Sequence, residues 1–223
     1  MPYRNRSDAA GTANRPRRVP LLALCSLLAA LFACPFVAAD ETPTVVVEHL
    51  HQILLEAMQN GTELGYDGRV ALLEPVINQS FDFETIASIV TGREWKTADS
   101  QQRSTFLDVF ARLSVATYAT NFSTYSGEKF ITGTNEESRG AQIVRTTLAQ
   151  SDGGQVSLNY MLRESNGKWR IINVVAQGVS DLSLKRAEYT AVIQSEGFDS
   201  LSERLRGKLR EMERANAAET PKP

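Results

Sequence analysis

The sequence predicts an α+β protein in which helices flank an antiparallel sheet of four strands. Two observations predict this class. Apolar residues recur with helical spacing over residues 44–125 and again over residues 183–212, whereas residues 127–178 alternate between apolar and polar with a period of two. Glycine-bearing turns divide that alternating stretch into four segments, as in an antiparallel sheet. The pattern contains no internal repeat and indicates a single domain.

Residues 1–39 are predicted to be a secretory signal peptide that precedes the domain. Basic residues at 15–18 are followed by an apolar run at 21–37, and small residues stand at the end of that run. Cleavage after Ala39 is the simplest interpretation. An uncleaved membrane anchor and acylation at Cys34 are the alternatives.

Export has consequences for the rest of the chain. Both cysteines lie in the leader, so the exported domain forms no disulfide and depends on its core for stability. Loss of five arginines and one aspartate leaves a net charge of −6, which does not favour binding to nucleic acid. The domain is expected to span residues 40–212. Residues 213–223 lack core residues and are expected to be a disordered tail.

Apolar spacing and capping residues define the first helices. Residues 44–61 carry one apolar stripe and end at a glycine. Residues 68–80 continue helically, and Pro75 predicts a kink or a turn. Residues 81–92 form a short helix, for which Asp82 is the expected N-cap and the terminal glycine the expected stop.

A long helix follows, with Thr97 as its predicted cap. It carries two apolar stripes, so we expect it to pack between two layers rather than to lie on a surface. The sheet is one of the two expected partners. One stripe ends in three aromatic residues spaced as neighbours on a single helical face: Tyr118, Phe122 and Tyr125.

The four predicted strands comprise residues 127–133, 140–150, 154–165 and 167–178. In the third strand, apolar side chains alternate with mostly polar ones: Val156, Leu158, Tyr160 and Leu162 against Ser157, Asn159, Met161 and Arg163. This alternation predicts one buried face and one solvated face. The pair Asn166-Gly167 predicts a two-residue hairpin turn. Two amphipathic helices complete the chain.

Residues suited to catalysis or to metal binding are few in the exported part. Its two histidines, His49 and His51, are two positions apart on a helix, so they do not face each other and are poor joint ligands for a metal ion. Asp82, Glu84 and Asp181 are the candidate carboxylates, for which helix capping and solvent exposure are the expected roles. We therefore predict no enzyme, no metal site and no cofactor.

A more specific pattern is carried by residues 81–95, 101–128, 156–180 and 185–201, which include Gly92-Arg93-x-Trp95 and Asn159-Tyr160. These segments resemble the MlaC, or toluene-tolerance, family of exported lipid carriers of Gram-negative bacteria. The likeness spans about residues 45–212. Asn173 stands where the family commonly has an aspartate. Residues 63–70 and 180–201 resemble the hopanoid-associated HpnM branch more closely than the phospholipid-trafficking branch.

The resemblance implies a curved, four-stranded antiparallel sheet packed by helices in an NTF2-like layout, with an apolar cavity for lipid tails between them. It also implies a periplasmic carrier that shields the tail of a phospholipid or hopanoid and exchanges it with an inner- or outer-membrane transporter complex. The residues expected to line the cavity are Phe81, Phe83, Ile86, Val90, Phe110, Tyr118, Phe122, Tyr125, Val144, Leu148, Leu158 and Tyr160.

Two alternatives stay open beside the carrier. The same aromatic and aliphatic residues serve equally well as the closed core of a scaffold that binds a membrane transporter or a hopanoid-biosynthesis complex and holds no lipid. A hydrolase acting on envelope lipids is the weaker alternative, because the sequence supplies no obvious set of catalytic residues. A solid interior favours the scaffold, and a long apolar channel favours the carrier.

Overall fold

The computed structural model describes residues 42–217. The predicted signal peptide at residues 1–39 and residues 218–223 of the predicted tail lie outside the described residues. In the described part of the chain, no helix is both long enough and apolar enough to cross a membrane.

Helices precede and follow a sheet in the predicted order. The helices before the sheet are α1 (Pro43–Gln59), α2 (Gly61–Ser80), α3 (Phe83–Thr91), α4 (Glu94–Thr97) and α5 (Ser100–Asn121). The strands are β1 (Lys129–Ser138), β2 (Ala141–Ala149), β3 (Gln155–Ser165), β4 (Lys168–Ala176) and β5 (Val179–Ser180). The helices after the sheet are α6 (Asp181–Glu196) and α7 (Phe198–Asn216).

The described strands form one antiparallel sheet in the order β1-β2-β3-β4-β5. The α+β class with an antiparallel sheet is thereby confirmed, but the predicted number of four strands is wrong. Strand β5 pairs with the last two residues of β4 after a turn at Gln177 and Gly178, whose φ values are 50° and 80°. A strand of two residues is too short to show alternation, so the sequence pattern did not reveal it.

Local signals predicted several element ends correctly. The Asp82 carboxylate accepts a hydrogen bond of 2.9 Å from a backbone N–H in the first turn of α3. Gly92 ends that helix with a φ of 68°, a left-handed conformation that favours glycine. Asn166 and Gly167 join β3 to β4 with φ values of 54° and 73°, as a two-residue hairpin requires.

The predicted start of the long helix and the predicted start of the tail are both wrong. Helix α5 begins after Asp99, because the Asp99 side chain accepts from the Gln102 backbone at 2.8 Å and the Gln102 side chain accepts from the Asp99 backbone at 3.1 Å. Thr97, the predicted cap, ends α4 instead. Helix α7 continues to Asn216, so residues 213–216 of the predicted tail are helical.

The expected interruption of α2 occurs at a different residue. The helix continues through Pro75 to Ser80, although proline has no N–H for the helical hydrogen bond. The non-helical conformation lies at Gly65, with φ 60° and ψ −174°, a region that is essentially restricted to glycine. The bend of this segment therefore comes from glycine freedom rather than from the proline ring.

A buried arginine lies at the end of α5. Arg69 is only 1% exposed, and its Nε donates to the carbonyl of Ala119 at 2.8 Å while Nη1 donates to the carbonyl of Gly61 at 2.9 Å. In a continuing helix the Ala119 carbonyl would accept from the N–H of Ser123. Instead α5 ends at Asn121, and Phe122 has a non-helical φ of −111° and ψ of 56°.

Candidate functional site

The face of the sheet that packs on the helices consists of rungs of paired residues. Neighbours across antiparallel strands lie side by side on one face, so the register defines each rung. From one end of the sheet to the other, the rungs are Phe130, Leu148 and Val156; then Thr132, Thr146, Leu158 and Ala176; then Asn135, Val144, Tyr160 and Val174; then Glu137, Gln142, Leu162 and Ile171. The apolar residues of these rungs all belong to the hydrophobic core or pack against it, and the polar ones are Thr132, Asn135, Glu137, Gln142 and Thr146.

Burial changes along this face. Val144, Tyr160, Leu162 and Ile171 of the inner rungs are at most 1% exposed. Phe130, Leu148 and Val156 of the first rung are only partly buried, and we call these three residues the open rung. The helices therefore cover most of the inner part of the face, where Val174 is only partly buried, and leave a whole rung of apolar side chains partly exposed at one end.

The open rung lies at the end of the sheet where three connections meet. These are the α5–β1 loop (residues 122–128), the β2–β3 turn (150–154) and the β4–β5 turn (177–178). The N–H of Gln177 donates to the carbonyl of Ser157 at 2.9 Å, which fixes the β4–β5 turn beside the start of β3.

Aromatic rings from the helices continue the open rung toward α3. The rings of Phe130, Phe122, Tyr118, Phe81, Phe83 and Phe110 follow one another with neighbouring centroids 5.7–6.2 Å apart, and we call this set the ring chain. Such distances are typical of favourable aromatic pairs. Phe83, Tyr118, Phe122 and Phe130 are partly buried. The ring chain is thus an apolar surface that extends from the accessible end of the sheet into the core.

The structure distributes the predicted site residues over three environments. Phe83, Tyr118, Phe122 and Leu148 are partly buried at the open rung or in the ring chain. Phe81, Ile86, Val90, Phe110, Val144, Leu158 and Tyr160 are buried in the core. Tyr125 is 42% exposed, so its predicted place on the helical face with Tyr118 and Phe122 is wrong. The chain leaves α5 before Tyr125 because the helix ends at Asn121.

Two residues of this region, His51 and Phe130, were not predicted to take part in the site, and Val156 was predicted only for the apolar face of the third strand. Phe130 and Val156 flank the predicted Leu148 in the open rung. The alternation of their strands and the register of the two hairpins contain the signal that identifies them. The sequence pattern predicts no role for His51 in the cavity, because only its spacing from His49 is apparent.

His51 and Tyr160 form a polar pair inside this apolar region. The His51 Nε2 and the Tyr160 hydroxyl are 3.0 Å apart, and the His51 ring stacks on Phe130 with centroids 3.9 Å apart and planes inclined by 11°. Burial lowers the pKa of His51 to about 4, so the imidazole is neutral at neutral pH. Burial also raises the pKa of Tyr160 well above its ordinary value. His51 Nδ1 has no hydrogen-bond partner among the described residues.

Two surface clefts lie elsewhere. One lies among α2, α5 and α7 and the other between α6 and α7, each with a volume of about 390 Å³, and neither is lined by a predicted site residue. The apolar cavity expected between sheet and helices is not shown in residues 42–217. The rings of Phe81, Tyr118 and Phe122 pack against one another in that region.

Comparison with known proteins identifies the family. The family model described as MlaC protein matches residues 48–207, which include the open rung and the ring chain. The chain belongs to the MlaC family. A curated relative is the intermembrane phospholipid transport system binding protein MlaC of Haemophilus influenzae, 26% identical over 134 residues, or 58% of this chain. The chain spans about three-fifths of that relative's length, 61%.

A solved structure supports the fold of this MlaC-family chain. A phospholipid-binding protein from Ralstonia solanacearum, solved in complex with a phospholipid, superposes with a TM-score of 0.68 at 20% sequence identity. The match covers 78% of this chain and 99% of the other. At that identity the likeness establishes a shared fold.

Proposed function

We propose that the protein is a non-catalytic carrier of a membrane phospholipid in the periplasm, and that it holds the acyl chains against the open rung and the ring chain. One observation carries the proposal: the buried core continues without interruption into partly exposed apolar side chains at one end of the sheet. The names of its relatives support it, since one belongs to a phospholipid transport system and another was solved with a phospholipid.

The energetics favour opening of the ring chain to admit a lipid. Each buried methylene contributes ~0.8 kcal/mol, so a two-chain lipid with roughly 30 methylenes costs on the order of 20 kcal/mol to expose to water. An aromatic pair contributes only about 0.5–1.5 kcal/mol beyond its buried area. The free-energy cost of separating a few rings, such as Phe122 from Phe130, is therefore small compared with the free energy gained when the lipid chains are buried.

The loops at the open rung are the proposed entrance. A phosphate-bearing headgroup loses its hydration at high cost if it enters an apolar interior, so it stays in water beside the loops while the chains pass inward. The inner rungs are closed by fully buried residues such as Leu162 and Ile171. The chains therefore enter from the end at residues 122–128, 150–154 and 177–178.

The scaffold alternative predicts an interior that is closed throughout. The inner rungs fit that expectation, but Phe130, Leu148 and Val156 remain accessible, which a closed scaffold core does not require. The lipid content of the purified protein separates the two functions. The prediction of a hopanoid cargo, from the HpnM-like segments, stays a prediction that the same measurement decides.

The proposed site is tested with two neighbouring substitutions. The protein is expressed from its full sequence, recovered from the periplasm without detergent, and its lipid is extracted and quantified. Phe122→Asp places a carboxylate in the ring chain, and we expect at least a tenfold loss of co-purified lipid. Tyr125→Asp, three residues away on the exposed loop, is the matched control and should keep the lipid. Equal lipid in wild type and Phe122→Asp would contradict the proposal.

A further inference from the structure

The His51–Tyr160 pair contains two hydrogen-bond donors, but the contact between the two side chains uses only one of them. A neutral imidazole has one N–H and a tyrosine has one O–H, and a single hydrogen bond between them uses one of these hydrogens. If the Tyr160 hydroxyl donates to Nε2, the His51 Nδ1–H has no acceptor among the described residues. If Nε2–H donates to Tyr160, the tyrosine hydrogen has none, and Nδ1 is an unpaired acceptor as well.

Both groups are deeply buried, so the spare donor is costly. His51 is 3% exposed and Tyr160 is 1% exposed. A buried polar group without a partner costs about 1–3 kcal/mol. The first arrangement leaves one polar group unpaired and the second leaves two, so the tautomer protonated at Nδ1 is favoured. The pair thus keeps a hydrogen-bond donor, the His51 Nδ1–H, in the buried interior without a partner among residues 42–217.

The position of the donor relative to the entrance defines what can reach it. His51 stacks on Phe130 of the open rung and bonds Tyr160 two rungs further in. Because the His51 and Phe130 ring centroids are only 3.9 Å apart, the imidazole lies beside the open rung, and the Tyr160 hydroxyl reaches it from deeper in the sheet. In a diacyl lipid whose phosphate stays at the loops, the ester groups are the polar atoms that enter furthest.

We propose that His51 and Tyr160 form a donor site for an ester carbonyl oxygen of the bound lipid, so that the protein prefers ester-linked to ether-linked chains. This inference rests on the proposed carrier function. A carbonyl oxygen is an acceptor without a hydrogen of its own, which matches a site with one spare donor. An ether oxygen in the same lipid lies in the chain itself and is a weaker and less accessible acceptor.

The test compares two soluble lipids that differ only in this linkage. Binding of dioctanoyl phosphatidylglycerol and of its dioctyl ether analogue to delipidated protein, produced by export of the full chain, is measured by calorimetry. One additional buried hydrogen bond predicts roughly a five- to tenfold tighter Kd for the ester lipid. Equal affinity of wild type for the two lipids would overturn the proposal, since the spare donor would then be satisfied by something other than the ester.

The variant that removes the donor is the double substitution His51→Phe with Tyr160→Phe. A single substitution leaves the other residue able to donate, whereas the double variant removes both polar groups and keeps two rings of similar shape, which is close to neutral for stability. We expect it to bind both lipids with the affinity of wild type for the ether lipid. His49→Phe, on an exposed position of α1, should retain the preference.

The outcomes separate this inference from the carrier function. A preference for the ester lipid that persists in the double variant would overturn the inference while the carrier function stands. Absence of binding to either lipid by wild type would instead overturn the carrier function. If the double variant does not fold, as judged by circular dichroism, the ratio of the two wild-type affinities decides alone.

Discussion

The Nε of Arg69 donates a hydrogen bond of 2.8 Å to the carbonyl oxygen of Ala119. This contact lies at the end of helix α5, where the aromatic residues leave the helix. Phe122 therefore turns toward Phe130 of the sheet, with ring centroids 6.2 Å apart, instead of continuing along the helix. A cation at the last carbonyls also complements the negative end of the helix dipole. The geometry of the candidate site thus depends on an arginine that is remote from it in sequence.

Loss of this arginine should destabilise the whole domain. Arg69→Met leaves two buried carbonyls without their charged donor, and we expect the free energy of unfolding to fall by about 3 kcal/mol. Arg112→Met is the control, because Arg112 is largely exposed and contacts Glu213 at 3.5 Å, so its loss should cost less than about 1 kcal/mol. Urea denaturation measures both, and equal losses would contradict this role of Arg69.

A close backbone contact at Gly61 predicts a second large effect. A Cβ at this position would lie 2.0 Å from the carbonyl oxygen of Ser123, so Gly61→Ala must displace the loop that follows α5. We expect a loss of about 2–4 kcal/mol in thermal or urea unfolding. Gly207→Ala is the matched control, because nothing lies within 4 Å of its Cβ position. Inside helix α7 that alanine should stabilise by about 0.5–1 kcal/mol.

A charge on one face of β1 should abolish lipid binding, whereas a charge on the other face should leave binding almost unchanged. Phe130 belongs to the open rung, whereas Ile131, the next residue, points to the other face and is 53% exposed. Phe130→Asp should abolish detectable lipid binding, because a carboxylate in an apolar site costs several kcal/mol. Ile131→Asp should leave the Kd for dioctanoyl phosphatidylglycerol within about twofold. A similar loss of binding in both variants would indicate that the sheet face does not define the site.

The pH dependence of stability should report the buried histidine. Burial lowers the pKa of His51 from 6.5 to about 4 in the folded protein. Between these pH values the unfolded chain binds a proton that the folded chain does not. The contribution of His51 to the free energy of unfolding is therefore complete above pH 6.5 and is lost as the pH falls toward 4.

At pH 5 the His51 contribution should therefore be smaller than at pH 7 by about 2 kcal/mol. Urea denaturation of wild type and His51→Phe at the two pH values isolates it, since carboxylates contribute equally to both proteins. Between pH 7 and pH 5, the free energy of unfolding should fall by about 2 kcal/mol less in His51→Phe than in wild type. His49→Phe should behave as wild type, and an identical pH dependence in His51→Phe would show that the histidine is not held neutral.

Local signals in the sequence predicted most of the fold. The cap at Asp82, the stop at Gly92 and the Asn166-Gly167 turn each depend on residues adjacent in the chain. Periodicity placed the sheet and the surrounding helices, because a half-buried strand and an amphipathic helix each repeat their burial along the sequence.

Two of the errors come from contacts between distant residues. The end of α5 involves Arg69, which is fifty positions from Ala119, so the periodic pattern wrongly extended the helix to Tyr125. The polar pair is not predictable from local patterns, because His51 and Tyr160 are 109 positions apart and each alone has the sequence context of a core residue. Which of the predicted site residues contact lipid remains a prediction.

Native mass spectrometry of the wild-type protein, exported from its full sequence and purified without detergent, addresses the carrier function directly. We predict a discrete added mass which extraction identifies as a two-chain phospholipid, and its disappearance in Phe122→Asp but not in Tyr125→Asp. Detection of a bound hopanoid would support the carrier function and show that the cargo is not a phospholipid. Protein that carries no lipid and binds none when lipid is added would contradict the account and leave the ring chain as ordinary core.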